Sequence, residues 1–493
     1  MKITLAGSAC RPEDIARRVG GSIMRAPDAV DEIAVRHICT DSREADKDTL
    51  FVALPGERVD GHRFFPAAAG LGARVFLCAR GRCPEALPSG CVAILVEDTE
   101  AALARMAAAW RDEALADTAI VAVTGSVGKT TTKEMMWGVL SAGEDVSAPR
   151  PVFKKDGNFN STVGLPLSVL EISAGTPAAV LEMGMSARGE IASMSAAVRP
   201  DIGVVANIGS SHLERLGTRE NIALAKLEIA DGLREGGILL FNGDEPLLRP
   251  DAVRVPHGLK VLYVSLADAP YAAFCVKDIR VRDSGTEFSL VTPDGILTAL
   301  VVPTPGVHMV WAAAFSAAVG HLCGLTAEQI RRGLLAYRPA AMRQTLRAVG
   351  NVTFLEDYYN AAPESMQAAL SVLSLTAKGR RVAVLGDMRE LGTDSVAMHR
   401  QVGEAAVRFG VDFLVTVGDL GAEIAAGARA AGLDQSAICH VPDTSAYEAE
   451  GPRLAELLQA NDTVLFKASR AIGLEALVGH VEAALRRRDA GED

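Results

Sequence analysis

Residues 122–135 read AVTGSVGKTTTKEM. Two glycines, a lysine and a run of threonines in this order suit one chemistry, the capture of a polyphosphate. Amides from Gly125 through Ser126, Val127 and Gly128 to Thr131 can wrap phosphate oxygens. Lys129 can offset charge on the β- and γ-phosphates, and Thr130 can hold Mg²⁺. The usual pattern, G-x-x-x-x-G-K-[ST], puts its first glycine at position 123, where Val123 stands instead. An ordinary glycine turn opening a helix beside a surface lysine would read the same way, so the neighbouring elements must decide.

Three more side chains could act beside such a loop. Glu182 ends the apolar run AAVLE, and ligands in open α/β sheets gather beyond the carboxyl ends of strands. Its carboxylate is placed to hold a metal, with capping or pairing to a base as an equal reading. His212 follows the next apolar run in NIGSSHLE; a loop histidine is otherwise a surface or hydrogen-bonding residue. Lys226 lies in TRENIALAKLEIADGL, where Ile222, Lys226, Ile229 and Leu233 fall on one face at the helical period. Burial disfavours the ammonium and favours a neutral amine, which can react with CO₂ to give a carbamate, an anionic ligand for a second Mg²⁺. A lysine that pairs with a buried carboxylate or reaches outward is the alternative.

The elements around these residues have a repeating pattern. AIVAVTG (119–125) is an apolar run of strand length, and TTKEMMWGVLSAG (131–143) continues with helical character, the context a phosphate loop requires. AAVLEMG (178–184), IGVVANIG (202–209) and GGILLFNGD (236–244) predict further strands. Their alternation with helices predicts an α/β fold with a mostly parallel sheet covered on both faces. Earlier, LFVALPG (50–56), ARVFLCA (73–79) and CVAILVED (91–98) precede a helical segment at 99–115. From about residue 338 the pattern restarts with VTFLEDY (352–358), RRVAVLGDM (380–388), FLVTVGD (413–419) and DTVLFKAS (462–469), a second open α/β sheet. Boundaries near 110 and 338 divide the chain into 1–110, 111–337 and 338–493, in keeping with about three domains of roughly 150 residues.

Hydrophobic residues make up 49% of the 493 and charged residues 23%, a soluble globular balance. The net charge of −11, with no block of lysine and arginine, argues against nucleic acid and against an anionic membrane surface. Eight cysteines without a C-x-x-C pair disfavour structural zinc and read as free thiols in a reducing cytoplasm. The N-terminus, MKITLAGSACRPEDIARR, meets charge too early for a secretory signal. VHMVWAAAFSAAVGHLCGL (307–325) could be mistaken for a membrane span. Its alanines and two histidines predict a buried helix of a soluble domain instead.

TGSVGKTTTKEM, GNFNSTVGLPLSVL (157–170), EMGMSARGEIASM (182–194) and NIGSSHLERLGTRENIALAKLEI (207–229) resemble the central domain of the Mur ligase family, whose own loop lacks the first glycine. The D-x-x-G and N-K-x-D elements of a GTPase do not occur. TDSREADKDTLFVALPGERVDGHRF (40–64), DYYNAAPESM (357–366), VLGDMRELG (384–392) and LFKASR (465–470) are similar to those members of the family that add D-alanyl-D-alanine, so the resemblance spans nearly the whole chain.

The resemblance implies three domains: an N-terminal domain binding a UDP-sugar, a central P-loop parallel-sheet ATPase domain, and a C-terminal Rossmann-like domain that closes on ATP and binds the incoming dipeptide. It implies a cytoplasmic, monomeric, Mg²⁺-requiring ligase of peptidoglycan synthesis that joins D-alanyl-D-alanine to UDP-N-acetylmuramoyl-tripeptide (UDP-MurNAc-tripeptide) through an acyl phosphate made with ATP. Thr130 and Glu182 would hold one Mg²⁺, and His212 with carbamoylated Lys226 would hold or surround a second. Lys129 and the loop amides would bind the ATP phosphates. Arg343, Asp357 and Asn360 would close over the nucleotide. Ser42 and Arg43 would face the UDP-sugar, and His62 would either join them or stabilise a turn. Another amino-acid-adding Mur ligase and a folylpolyglutamate synthase relative are the neighbouring readings.

Some positions depart from the family pattern. After Gly306 the family usually has H-N-x-x-N; here Met309 follows His308, and Ala312 takes the place of the second asparagine. Ala362 and Ser161 replace asparagines, and Ala468 replaces a common glycine. These changes bear on adenine and acceptor contacts and leave the phosphate and metal ligands intact. They also prompt a reading of another class, a nucleotide-binding regulatory protein that kept the loop and lost catalysis.

Overall fold

Three β-sheets, each drawn from its own stretch of sequence, organise the chain. The computed structural model describes residues 1–490 apart from 8, 30–32, 57–58 and 146. Glu57 and Arg58, inside the 40–64 segment, therefore lie outside the described residues, as do positions 491–493.

The first sheet has six strands. His37–Cys39, Thr49–Val52, Val75–Ala79 and Val92–Val96 run parallel, and Lys2–Thr4 and Ser22–Arg25 close its two edges antiparallel. The helix Thr99–Ala114 follows, started by Asp98, whose carboxylate accepts from the amides of Glu100 and Ala101. This helix packs toward the second sheet. Leu103, Met106 and Leu115 share one buried cluster with Leu170, Met194 and Val198, so the first two sheets have a continuous core.

In the second sheet the parallel strands Phe153–Lys154, Ala178–Glu182, Ala119–Thr124, Ile202–Val205, Ile238–Asn242 and Lys260–Ser265 lie side by side in that order. The sheet does not end there. Phe274–Arg282 joins parallel to Lys260–Ser265 and begins an antiparallel meander through Gly285–Thr292 and Gly295–Val302, an extension the alternation of strands and helices does not predict. The third sheet repeats the design with five parallel strands and one antiparallel edge, in the order Thr345–Val349, Val352–Glu356, Thr463–Lys467, Arg381–Gly386, Phe413–Val417 and Ile438–Val441.

The helix Val307–Leu322 is the segment that resembles a membrane span. It is apolar all round because it is buried all round, with Met309, Val310 and every residue from Ala312 to Gly320 inside the second domain. Among the described residues no helix is long and apolar enough to cross a membrane. The helix Lys129–Leu140 packs against it and against the helix Ala327–Leu335. At the latter crossing two glycines meet: a Cβ on Gly333 would lie 2.3 Å from the Val139 Cα, so the two backbones touch directly.

One sequence expectation needs correction. The helix read across 218–233 stops at Leu227, and Glu228–Gly232 tightens into a 3₁₀ turn. The Glu228 carboxylate there accepts from the amides of Gly189 and Ala192 at the start of the earlier helix Glu190–Val198, tying the two elements together.

Candidate active site

The strand Ala119–Thr124 is buried and apolar through Val123, which explains why no glycine is needed there. Position 123 is still in the sheet, paired in register with Glu182 of the neighbouring strand, and the loop proper begins at Gly125. Gly128 adopts a left-handed conformation (φ 77°) that turns the chain into the helix Lys129–Leu140. Lys129 folds back over the loop and donates to the carbonyls of Gly125 (2.8 Å) and Ser126 (3.4 Å). Burial lowers its pKa; the Glu182 carboxylate opposes that shift and Arg343 adds to it.

The loop is braced from behind. Asn207, just past the strand Ile202–Val205, accepts the amides of Ser126 and Val127 on its Oδ1, both at 3.0 Å, and donates from Nδ2 to the Val127 carbonyl at 2.8 Å. Sequence reasoning assigned all the amides from Gly125 to Thr131 to phosphate. In this geometry Ser126 and Val127 are engaged by Asn207, and the opening turn of the helix is left to face an anion, because a helix's first amides have no intrahelical acceptor.

Glu182 sits at the carboxyl end of its strand. Its Oε2 accepts from the Thr130 hydroxyl at 2.8 Å and its Oε1 from Asn160 Nδ2 at 2.9 Å. His212 also reaches this region, in a left-handed backbone conformation (φ 67°) at the start of a short helix. Its Nδ1 lies 2.5 Å from Glu390 Oε2, an ion-pair contact without the alignment of a hydrogen bond, and it holds the Glu390 carboxyl below its usual range.

Lys226 does not line the cleft with these residues. It is 1% exposed in the helix Arg219–Leu227, and among the described residues its ammonium has no hydrogen-bond or ion-pair partner. Burial, with the nearby charge of Lys129, pushes its pKa well below the ordinary 10.5, which favours the neutral amine.

Lys129, Thr130, Glu182 and His212 line one cleft of about 980 Å³, and Arg343, Asp357 and Asn360 enter it from the third sheet's side. Arg343 lies over the Tyr359 ring at 4.1 Å. Asp357 pairs with buried Lys467 at 2.6 Å, and Lys467 also donates to the Asn360 carbonyl at 3.1 Å. Besides the His212–Glu390 contact, polar contacts at Ser210 and His308 join the second and third domains. The Glu364 Oε1 accepts from the Ser210 amide (3.0 Å) and hydroxyl (2.8 Å). His308 Nε2 meets Gln344 Oε1 at 2.8 Å while Gln344 Nε2 donates to the Pro305 carbonyl, which fixes the His308 proton on Nε2.

Ser42, Arg43 and His62 are not part of this cleft. Ser42 is buried at the start of a short 3₁₀ turn, and Arg43 is exposed and paired with Asp41. Both ring nitrogens of His62 are engaged, Nδ1 with Asp60 at 2.6 Å and Nε2 accepting the Ala79 amide at 2.9 Å, so this ring fastens its turn to a strand.

Sequence reasoning passed over Asn207, Asn160, Lys467, Gln344 and Glu364. A signal existed for two of them. Asn207 stands just beyond a strand's carboxyl end, as Glu182 does at the end of its own, and Lys467 interrupts the apolar run of DTVLFKAS.

A parallel-sheet nucleotide domain with a strand–loop–helix phosphate site, followed by a second α/β domain closing its cleft, defines a P-loop α/β enzyme. The chain belongs to the Mur ligase family. The Mur ligase middle domain matches residues 123–320, the Mur ligase glutamate ligase domain matches 342–470, and the Mur ligase catalytic domain matches 34–111. A UDP-N-acetylmuramoyl-tripeptide–D-alanyl-D-alanine ligase of Bacillus subtilis is 36% identical over 473 residues, covering 94% of this chain and 97% of its own. A crystal structure of MurF from Acinetobacter baumannii superposes with a TM-score of 0.86 at 27% identity, covering 98% of this chain and 100% of that one. MurF of Thermotoga maritima in complex with ADP superposes at 0.78 with 30% identity, covering 92% and 98%.

Proposed function

We propose that this chain is an ATP-dependent ligase that joins D-alanyl-D-alanine to UDP-MurNAc-tripeptide, forming the pentapeptide, ADP and phosphate for peptidoglycan synthesis. The observation that carries the reading is a single cleft where Lys129, Thr130 and Glu182 meet Arg343 and Asp357. The near-full-length similarity to a relative bearing that name supports the choice of substrates. Segments 1–110, 111–337 and 338–493 then serve as UDP-sugar, ATP and closing domains, with Ser42 and Arg43 toward the sugar nucleotide and His62 supporting that domain's turn.

A carboxylate is a poor electrophile, and ATP supplies its activation. A tripeptide carboxylate oxygen attacks the γ-phosphorus, the bond to ADP breaks, and an acyl phosphate results. The amine of D-alanyl-D-alanine attacks the acyl carbon, the tetrahedral intermediate expels phosphate, and the amine's proton leaves. Lys129 and the helix's opening amides counter the charge that keeps carboxylate and phosphate apart. Arg343 adds positive charge from the closing side, and Asp357, fixed by Lys467, with Asn360 orients the nucleotide.

The residues present fit a Mg²⁺ ion. Among the described residues no group of three or more His, Cys, Asp or Glu side chains forms a metal cage, and Mg²⁺ characteristically uses one or two carboxylates together with phosphate and water. Thr130 and Glu182 would hold it, with His212 beside a second ion. The buried, unpartnered Lys226 amine, whose pKa burial lowers, fits carbamoylation by CO₂. Bound there, the metal would supply Lewis-acid neutralisation of the phosphates. The test is phosphate release with ATP, D-alanyl-D-alanine and UDP-MurNAc-tripeptide, omitting each in turn. Release only with all three supports the ligase, and release without the dipeptide or the tripeptide refutes it.

A further inference from the structure

The cleft has two unlike ends. At the loop end Lys129, Thr130 and Glu182 are charged or polar and suited to phosphate. Elsewhere its lining includes Met309, Ala312 and Phe315 of the helix Val307–Leu322, Ala361 and Ala362 just before the helix Pro363–Thr376, and Ala369 within it. Every one of these six is buried and none carries a hydrogen-bonding side chain. Several of the polar groups beside them are engaged within the protein. Ser365 Oγ exchanges hydrogen bonds with the amide and carbonyl of Ala362, both at 3.0 Å, and Asn360 Oδ1 accepts the Ala361 amide at 2.9 Å. Gln344 is bound through both ends of its carboxamide, and Glu364 Oε1 is held by Ser210.

With the phosphates fixed at the loop, the flat base is the part of a nucleotide that an apolar wall suits. Such a wall offers stacking and methyl contacts, which every base can use because every base has a π-face. Strong discrimination comes from buried partners left unpaired by the wrong ligand. Sites built that way reject analogues by about 10⁴–10⁵, whereas apolar pockets manage about 10–200-fold.

We propose that this site is tolerant of the base: it takes guanosine, cytidine and uridine triphosphates as phosphate donors alongside ATP, and Met309 and Ala312 are the residues that set this tolerance. The proposal rests on the ligase reading for its turnover assay but not for its binding assay. In the complete reaction with Mg²⁺, kcat/KM for GTP, CTP and UTP is expected within about 200-fold of ATP. Activity with ATP and a deficit beyond about 10³-fold for all three others would overturn the proposal and leave the ligase intact. If no triphosphate supports turnover, the ligase reading fails instead, and displacement of a fluorescent ATP analogue decides the base question. Displacement by all four within a similar range supports tolerance; displacement by ATP alone overturns it. Ala312→Asn restores an amide to the wall and should raise the ATP-to-GTP ratio at least tenfold. An unchanged ratio in a variant that still turns over ATP would put the base elsewhere and overturn the assignment.

Discussion

Thr130 and Glu182 stand 52 positions apart in the chain and 2.8 Å apart in the fold, the hydroxyl donating to the carboxylate. One ends the phosphate loop and the other ends the adjacent strand, so the sheet's register brings a hydroxyl and a carboxylate together in the cleft. Glu182→Gln keeps the contacts to Thr130 and Asn160 within reach but removes the charge. Phosphate release should fall at least a hundredfold while the melting temperature stays nearly unchanged. A variant with full activity at limiting Mg²⁺ would exclude Glu182 as a metal ligand.

Lys226 is a test of its own. Lys226→Ala should lose most activity, and added formate or acetate should restore part of it by offering the missing anionic oxygens. The parent enzyme should also slow in CO₂-free buffer and recover with bicarbonate. Insensitivity to both treatments would remove the carbamate from the mechanism.

The Asn207 side chain makes three hydrogen bonds to the loop, and its carbonyl accepts a further one from the Ser126 amide. Losing the side-chain bonds frees the loop to leave its phosphate-binding shape, at a cost of about 1–3 kcal/mol, roughly one to two powers of ten in binding. Asn207→Ala should therefore raise the KM for ATP more than it lowers kcat. An unchanged KM would mean that the loop holds its shape without the brace.

The loop helix is also positioned by backbone contact. A methyl group at Gly333 would meet the Val139 Cα at 2.3 Å and the Gly138 carbonyl at 2.7 Å. Gly333→Ala should destabilise the protein by about 1–3 kcal/mol and reduce activity as the helix shifts. Gly479→Ala is the control: nothing lies within 4 Å of its added methyl, in a helix where alanine is preferred. Equal denaturation midpoints for the two variants would refute the crossing argument.

Two histidines give the stability a pH dependence. Burial lowers the pKa of both His308 and His399 from 6.5; His399 accepts the Met388 amide on Nε2 and lies 2.6 Å from the Ser395 carbonyl through Nδ1. The unfolded chain takes up protons near pH 6.5 while the folded chain does not. Stability should therefore fall as pH drops below that value toward the lowered folded pKa values. Urea midpoints at pH 7.5 and 5.5 measure the loss, which should be smaller in His399→Gln. The same loss in that variant would exonerate His399.

The strand, loop and helix of residues 119–140 were legible in the sequence because each is a local matter. An apolar run, a glycine where a left-handed turn is needed and a lysine beside it depend on near neighbours. The burial of Lys226 was legible for the same reason, since the helical period sets its face within one segment. What the sequence withheld was pairing between distant segments. Glu364 reaches Ser210 across 154 positions and Lys467 reaches Asp357 across 110. The meander at 274–302 extends a sheet whose order no local pattern specifies. Local chemistry determined which residues could bind phosphate and metal. Strand order, register and the seating of the third domain on the second decided which of them share a cleft, because those depend on burying apolar faces against partners far away in the chain.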